Sequence, residues 1–193
     1  MMPVHPGFAD PVLDSQRAFR AVLDAMAHPG RVVTATAPGT PAPLGSAAAA
    51  VCLTLLDFDT PVWLDAAAAT AEVVDYLRFH CGMVLVEAPA AARFVLIADA
   101  TGMPSLDDFD AGTDERPDLS ATVVVQVAGL TQGRGYRLTG PGIEGEARLE
   151  VAGAPGLGEV ARANAARFPR GVDFILCAGE RLAALPRTTR VEG

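Results

Sequence analysis

The chain has 193 residues, half of them apolar and a fifth charged, with a formal net charge of −8. That length suits one domain with a full core and leaves little room for two, and the composition is that of a globular rather than a disordered chain. The acidic balance argues against free DNA or RNA and against an anionic membrane surface as partners, because both call for a basic face.

Taken in order, the first pattern is helical and starts at Asp10-Pro11. Phe19, Val22, Leu23 and Met26 share one stripe while Asp14, Arg17, Arg20 and Asp24 face away, so that stripe is expected to be buried. "HPG" at 28–30 stops the helix, and Arg31 to Thr36 reads as a strand. After the proline-rich loop "APGTPAPLG", Ser46 is expected to cap a helix from Ala47 to about Leu56. This helix is apolar almost all round and so should be deeply covered, yet it is only about half the ~20 residues a membrane span needs. "PVWL" (61–64) reads as a short buried strand, and Thr70 to His80 as a third helix with Val73, Val74 and Leu77 inward and Gly82 closing it.

The second half is richer in strands. "FVLIAD" (94–99) and "TVVVQV" (122–127) are continuous apolar runs, as expected in the middle of a sheet covered on both faces. Between them, residues 100–120 read as an acidic surface excursion with one helical turn. "GYRLTG" and "EARLEV" alternate like hairpin strands, 157–167 can form a helix, and "VDFILCAGERLAALP" ends as a hairpin turning at "AGE". No repeat or linker interrupts the pattern. The expected fold is a single α/β domain spanning 1–193, a three-layer α/β/α sandwich with a mixed sheet.

Several chemistries close at once. All 15 basic side chains are arginine, so there is no lysine for a Schiff base or a Walker-type loop. Cys52, Cys81 and Cys177 are odd in number and widely spaced, and His5, His28 and His80 are scattered, so neither a disulfide framework, a metal nor a cofactor is expected. "MMPVHPGFADP" has neither a basic head nor an apolar run; no secretory leader is readable, and a soluble cytoplasmic protein is expected.

"GPGIEG" (140–145) and "TQGRG" (131–135) look like phosphate-cradling loops, but such a loop must lead from a strand into a helix N-terminus. Both lie between strands and read as β-turns. Asp57 and Asp59 in "DFDT" could hold a hard cation, or could form a solvated turn leading into Pro61. His80 and Cys81 could be imagined as base and nucleophile, but neighbours on a helix point about 100° apart and are poorly set for a mutual hydrogen bond. "PRTTR" (186–190) offers Arg187, Thr188, Thr189 and Arg190 just after a strand. It is the first choice for contact with an anion or an acidic partner, the alternative being a polar tail leaving the sheet.

Five stretches together carry a resemblance: "FRAVLDAMAHPG" (19–30), "LTLLDFDTPVWL" (53–64), "LRFHCG" (77–82), "YRLTGPGIEG" (136–145) and "FPRGVDFILCAGERLAALPRTTRVE" (168–192). In this order and spacing they resemble the PhnH family, the H subunit of the bacterial carbon–phosphorus lyase system. The resemblance covers nearly the whole chain; the last stretch is the most distinctive, and 100–120 carries little of it. It implies a place in organophosphonate breakdown, in a core complex with the G, I and J subunits. With the L protein, G, H and I take part in forming a ribose 1-phosphonate 5-triphosphate from a nucleoside triphosphate and the phosphonate, and J later cleaves the C–P bond by radical chemistry. It also implies a homodimer and a fold resembling pyridoxal-phosphate-dependent transferases without the cofactor. It brings no catalytic residue. The expectation is a non-catalytic or co-catalytic subunit. The alternatives are an autonomous small-molecule enzyme using Asp57/Asp59 or His80/Cys81, and a subunit that presents nucleotide or phosphonate through Arg187 and Thr188.

Overall fold

A computed structural model describes residues 5–193; the first four residues of the stretch read for a leader lie outside them. Helix α1 (Pro11–Ala27) starts where expected, with Asp10 accepting from the N–H groups of Val12 and Leu13 at 3.1 and 3.0 Å. Its inner face is a correction. Ala18, Val22 and Ala25 are buried, while Phe19 and Leu23 are about half exposed. The reason is its neighbour: α2 (Ser46–Leu55) presents buried Ala47 to Ala50, and small side chains on both helices permit a close approach that would force large ones outward. Gly45, not Ser46, precedes α2. The Ser46 hydroxyl instead accepts from the Ala37 N–H and donates to the Ala37 carbonyl, both at 3.0 Å. In α3 (Ala71–Cys81) Thr70 caps through Val73 N–H, and Gly82 closes the helix in the left-handed region at φ 67°.

The strands form two sheets. The larger runs β1-β9-β8-β5-β4-β2-β3, with β1 at Val33–Thr34, β2 at Pro61–Leu64, β3 at Val84–Leu85, β4 at Phe94–Ile97, β5 at Thr122–Gln126, β8 at Asp173–Ala178 and β9 at Arg181–Leu185. From β3 to β8 neighbours are parallel; β9 and β1 are antiparallel, so the sheet is mixed. β1 is shorter than the sequence suggests, and β3 was not anticipated. The β8–β9 hairpin turns at Gly179-Glu180, as expected.

Alternate residues of the central strands feed two cores. Val62, Leu64, Leu96, Val124 and Ile175 pack under α1, α2 and α3. Val95, Ile97, Val123, Val125, Phe174 and Leu176 face the other way. There the α/β/α expectation needs correcting, because the third layer is itself mixed. It holds a second sheet, antiparallel throughout, β10-β6-β7, built from β6 (Gly129–Thr139), β7 (Ala147–Ala152) and β10 (Arg190–Glu192), together with helix α4 (Leu157–Ala165). Leu130, Leu138 and Leu149 of this small sheet are fully buried against the large one.

Two loop readings change as well. "TQGRG" is not a turn but an interruption within β6. Gln132 and Tyr136 both pair with Leu149, so Gly133–Gly135 bulge out of the ladder. Residues 100–120 hold three 3-10 turns rather than one helical turn, pinned to the second core by Leu106 and Phe109. Among the described residues no helix is long and apolar enough to cross a membrane.

Candidate functional site

An open parallel sheet offers a ligand crevice where its crossovers diverge, at the carboxyl ends of two neighbouring strands. Here those strands are β2 and β4: the chain leaves β2 for α3 on one face and leaves β4 for the 100–120 excursion on the other. The crevice is filled from within. Buried Asp65 accepts from the backbone N–H of Ala68 at 2.8 Å, Ala98 at 3.1 Å and Asp99 at 3.0 Å. At the next carboxyl end, Gln126 accepts from Gly45 N–H and donates to the Pro43 carbonyl, tying down the loop before α2.

A concave surface lies at the opposite, amino end. A groove of about 500 Å3, adjoining a smaller hollow of about 230 Å3, runs between the end of α1, the β6–β7 turn, the segment before β8 and the segment after β9. Met26, Pro141, Phe168 and Pro186 give it apolar walls; Thr188 and Arg190 stand on the hollow's side. Phe168 is 61% exposed and borders both parts, leaving an aromatic face uncovered. Three of the five stretches that carry the family resemblance meet here, brought together from opposite ends of the chain.

Arg187 is in the groove but is not a free cation. Its Nε lies 3.2 Å from Asp173 Oδ1, one NH2 group 2.6 Å from Oδ2, and NH1 donates to the Pro117 carbonyl at 2.6 Å. The two side chains are 13% and 19% exposed. The alternative of a polar tail does not hold: the chain after Arg187 re-enters the small sheet as β10, and Val191 is buried. Thr188 stays partly exposed on the groove wall, whereas Thr189 is buried and its hydroxyl has no hydrogen-bond partner. Arg190 has no ion-pair partner among the described residues and is the cation this segment presents; spacing alone could not separate it from Arg187.

The other candidates lie apart from the groove. Asp57 and Asp59 occupy an exposed turn in which Asp57 Oδ1 accepts from Asp59 N–H at 3.0 Å and from the Thr60 hydroxyl at 2.5 Å. That satisfies an Asx-type turn and points to the solvated reading. His80 and Cys81 turn to different partners: His80 Nε2 to the His5 carbonyl at 2.9 Å, Cys81 Sγ to the Cys52 carbonyl at 3.6 Å. The fold does bring the three distant cysteines into one core. Burial pushes the Cys81 and Cys177 thiols up to about 12 and raises Cys52 well above its ordinary value. These are unreactive thiols at neutral pH. No group of three or more His, Cys, Asp or Glu among the described residues is placed to hold a metal ion.

Comparison with known proteins adds what geometry leaves open. A family model described as bacterial phosphonate metabolism protein (PhnH) matches residues 6–192. A Rhizobium meliloti (strain 1021) protein described as alpha-D-ribose 1-methylphosphonate 5-triphosphate synthase subunit PhnH is 42% identical over 189 residues, covering 96% of this chain and 94% of that one. A Stutzerimonas stutzeri protein described as putative C-P lyase subunit protein HtxG is 37% identical over 184 residues, covering 91% and 85%.

Proposed function

The chain belongs to the PhnH family of bacterial phosphonate metabolism proteins, and from that we propose that it is a subunit of an alpha-D-ribose 1-methylphosphonate 5-triphosphate synthase. The carrying observation is the end-to-end match to a relative of that description at 42% identity. In this reading the subunit is non-catalytic or co-catalytic and works with the G, I and J subunits of the carbon–phosphorus lyase core complex in the cytoplasm. It forms no product alone. The separation of His80 from Cys81 and the self-satisfied Asp57 turn support this over an autonomous enzyme built on those residues.

The reading includes a homodimer, supported by two uncovered apolar surfaces. One is the outer stripe of α1 with Val12, Phe19 and Leu23; the other, with Phe58, Phe79, Val84 and Leu85, lies on and near edge strand β3. It also carries the likeness to pyridoxal-phosphate-dependent transferases without the cofactor, in keeping with a chain that has no lysine for an aldimine. A second role, presenting nucleotide or phosphonate within the complex, is supported by the exposed Phe168 face beside Arg190 and Thr188, a stacking surface next to an anion contact.

A strain lacking its own PhnH tests the assignment. Supplied with this chain, it should grow on methylphosphonate as sole phosphorus source, and the tagged chain should co-purify with G, I and J. No growth and no co-purification, with the chain expressed and folded, removes the reading. Light scattering that gives a monomer mass removes the homodimer.

A further inference from the structure

Where α1 ends, the ring of His28 is held from one side. Its Nδ1 lies 2.9 Å from Asp24 Oδ1 and 3.1 Å from the Asp24 carbonyl oxygen, and Arg31 NH1 reaches the same carboxylate oxygen at 2.8 Å. With Nδ1–H donating to Asp24, Nε2 is the bare nitrogen of the neutral ring and has no hydrogen-bond partner among the described residues. His28 borders a cavity of about 540 Å3, within the ~300–1,000 Å3 of small-molecule sites.

The facing walls come from the β6–β7 turn, the bulged part of β6, and β7. Gln132 spends its carbonyl oxygen on Val32 N–H at 3.1 Å, which leaves its amide N–H groups for the cavity. Arg148 meets Glu146 Oε1 only at 3.6 Å, while Arg137 holds the other oxygen, Oε2, at 2.6 Å. Glu144 has no ion-pair partner among the described residues.

The mixed character of this lining decides the ligand. A bare polyanion calls for a wall of one sign, and a neutral sugar would leave the loosely held guanidinium unmatched. One loosely held guanidinium and an amide donor beside a free carboxylate and an imidazole acceptor suit a molecule carrying both a tetrahedral oxyanion and several hydroxyls. We propose that this cavity binds a phosphorylated or phosphonylated sugar. Arg148 and the Gln132 amide hold the oxyanion, and Glu144 and His28 Nε2 accept from the hydroxyls. Asp24 and Arg31 are positioning residues that set the His28 ring. The site stands on this chain's geometry; choosing ribose as the sugar rests on the synthase reading.

The test titrates ribose 5-phosphate into the full chain and follows the His28 ring and the Gly133, Gly142 and Glu144 amides by NMR, with inorganic phosphate and free ribose as separate arms. Ribose 5-phosphate should shift these signals saturably, and each half-ligand should bind at least about tenfold more weakly. Arg148→Ala, Glu144→Ala and His28→Asn should each weaken binding by about tenfold, the scale of one charge-assisted hydrogen bond, with unchanged thermal midpoints. His28→Asn keeps a donor for Asp24 and removes Nε2. No saturable shift at millimolar ligand overturns the proposal. So does binding that ignores all three variants, or inorganic phosphate binding as tightly as the sugar phosphate. None of these outcomes touches the subunit assignment, which fails only in the growth and co-purification experiment.

Discussion

Replacing Arg187 with alanine removes three side-chain hydrogen bonds from a guanidinium that ties the segment after β9 to the first residue of β8 and to Pro117. Charge-assisted hydrogen bonds contribute roughly 1.5–3 kcal/mol each, and breaking a fully buried pair costs about 3–5 kcal/mol. Two facts lower that figure. Asp173 keeps the Arg187 backbone N–H at 2.9 Å, and the pair borders an open groove from which water can reach the stranded carboxylate. The expected loss is therefore about 2–3 kcal/mol, or a midpoint lowered by about 5–10 °C in a chain of this length. Arg187→Lys, which keeps the charge and loses the fork, should cost about 1 kcal/mol. Adding Asp173→Ala to Arg187→Ala should recover part of the loss, because no carboxylate is then left without its partner. Urea denaturation followed by circular dichroism measures all three. A single alanine variant within about 0.5 kcal/mol of the parent would refute the reasoning and restore Arg187 as a free surface cation. A growth defect of this variant therefore reports on folding before it reports on ligand.

Gly142→Ala should destabilise by more than about 2 kcal/mol, since its φ is +79° and a Cβ would overlap the Ala27 carbonyl oxygen; Gly145→Ala, at φ +71° with open space around it, should cost only about 1 kcal/mol, and equal losses would deny the close approach. Asp65→Asn should cost about 2–3 kcal/mol in urea, because an amide NH2 in the place of Oδ2 faces the Asp99 N–H with a second donor; a neutral result would mean Asp65 is not the staple. Cys81 and Cys177, pushed from 9.0 to about 12 by burial, favour the protonated folded form, so their stabilisation is full below pH 9 and is lost as pH rises toward 12. Native protein at pH 8 should thus resist a thiol reagent that labels the urea-unfolded chain rapidly, and fast native labelling would contradict it.

The elements that could be read in advance were those whose pattern is local. Asp10-Pro11 announces α1, Thr70 and Gly82 bracket α3, and the apolar runs at 94–97 and 122–126 give the two central parallel strands. The failures came where a distant neighbour decides. The inner face of α1 depends on the alanines of α2, which no period within α1 encodes. β10 is a strand only because β6 offers it an edge, and the bulge at Gly133–Gly135 exists only relative to β7. Site chemistry divides the same way. Composition marks the "PRTTR" segment, but that Arg187 is spent on Asp173 while Arg190 has no ion-pair partner among the described residues depends on a partner 14 residues away. Asp24 and His28 are four residues apart on a helix and could have been paired by spacing. The following Pro29-Gly30 instead marks His28 as part of the helix-ending turn.

The position of the concave surfaces follows from what the sheet does with its carboxyl ends. The crevice that an open α/β sheet usually leaves for a ligand is occupied here by the Asp65 carboxylate, which accepts from both strands' exit loops, and Gln126 stitches shut the neighbouring exit. A phosphate cradle of strand, glycine loop and helix N-terminus would sit at the carboxyl ends of β2 and β4, where the Asp65 carboxylate already accepts from the loop N–H groups. The groove opens at the amino end, where Asp173 begins β8 and the segment after antiparallel β9 returns beside it. The glycine-rich turn between β6 and β7 reaches that end, and Gly142 borders both the groove with Phe168 and the cavity with His28. Its lack of a side chain lets the turn press against the Ala27 carbonyl at the end of α1, so the turn shapes two concavities at once without cradling anything by a helix dipole. A substitution there should disturb both, whereas one at Asp65 should loosen the sheet and leave the two sites' own residues in place.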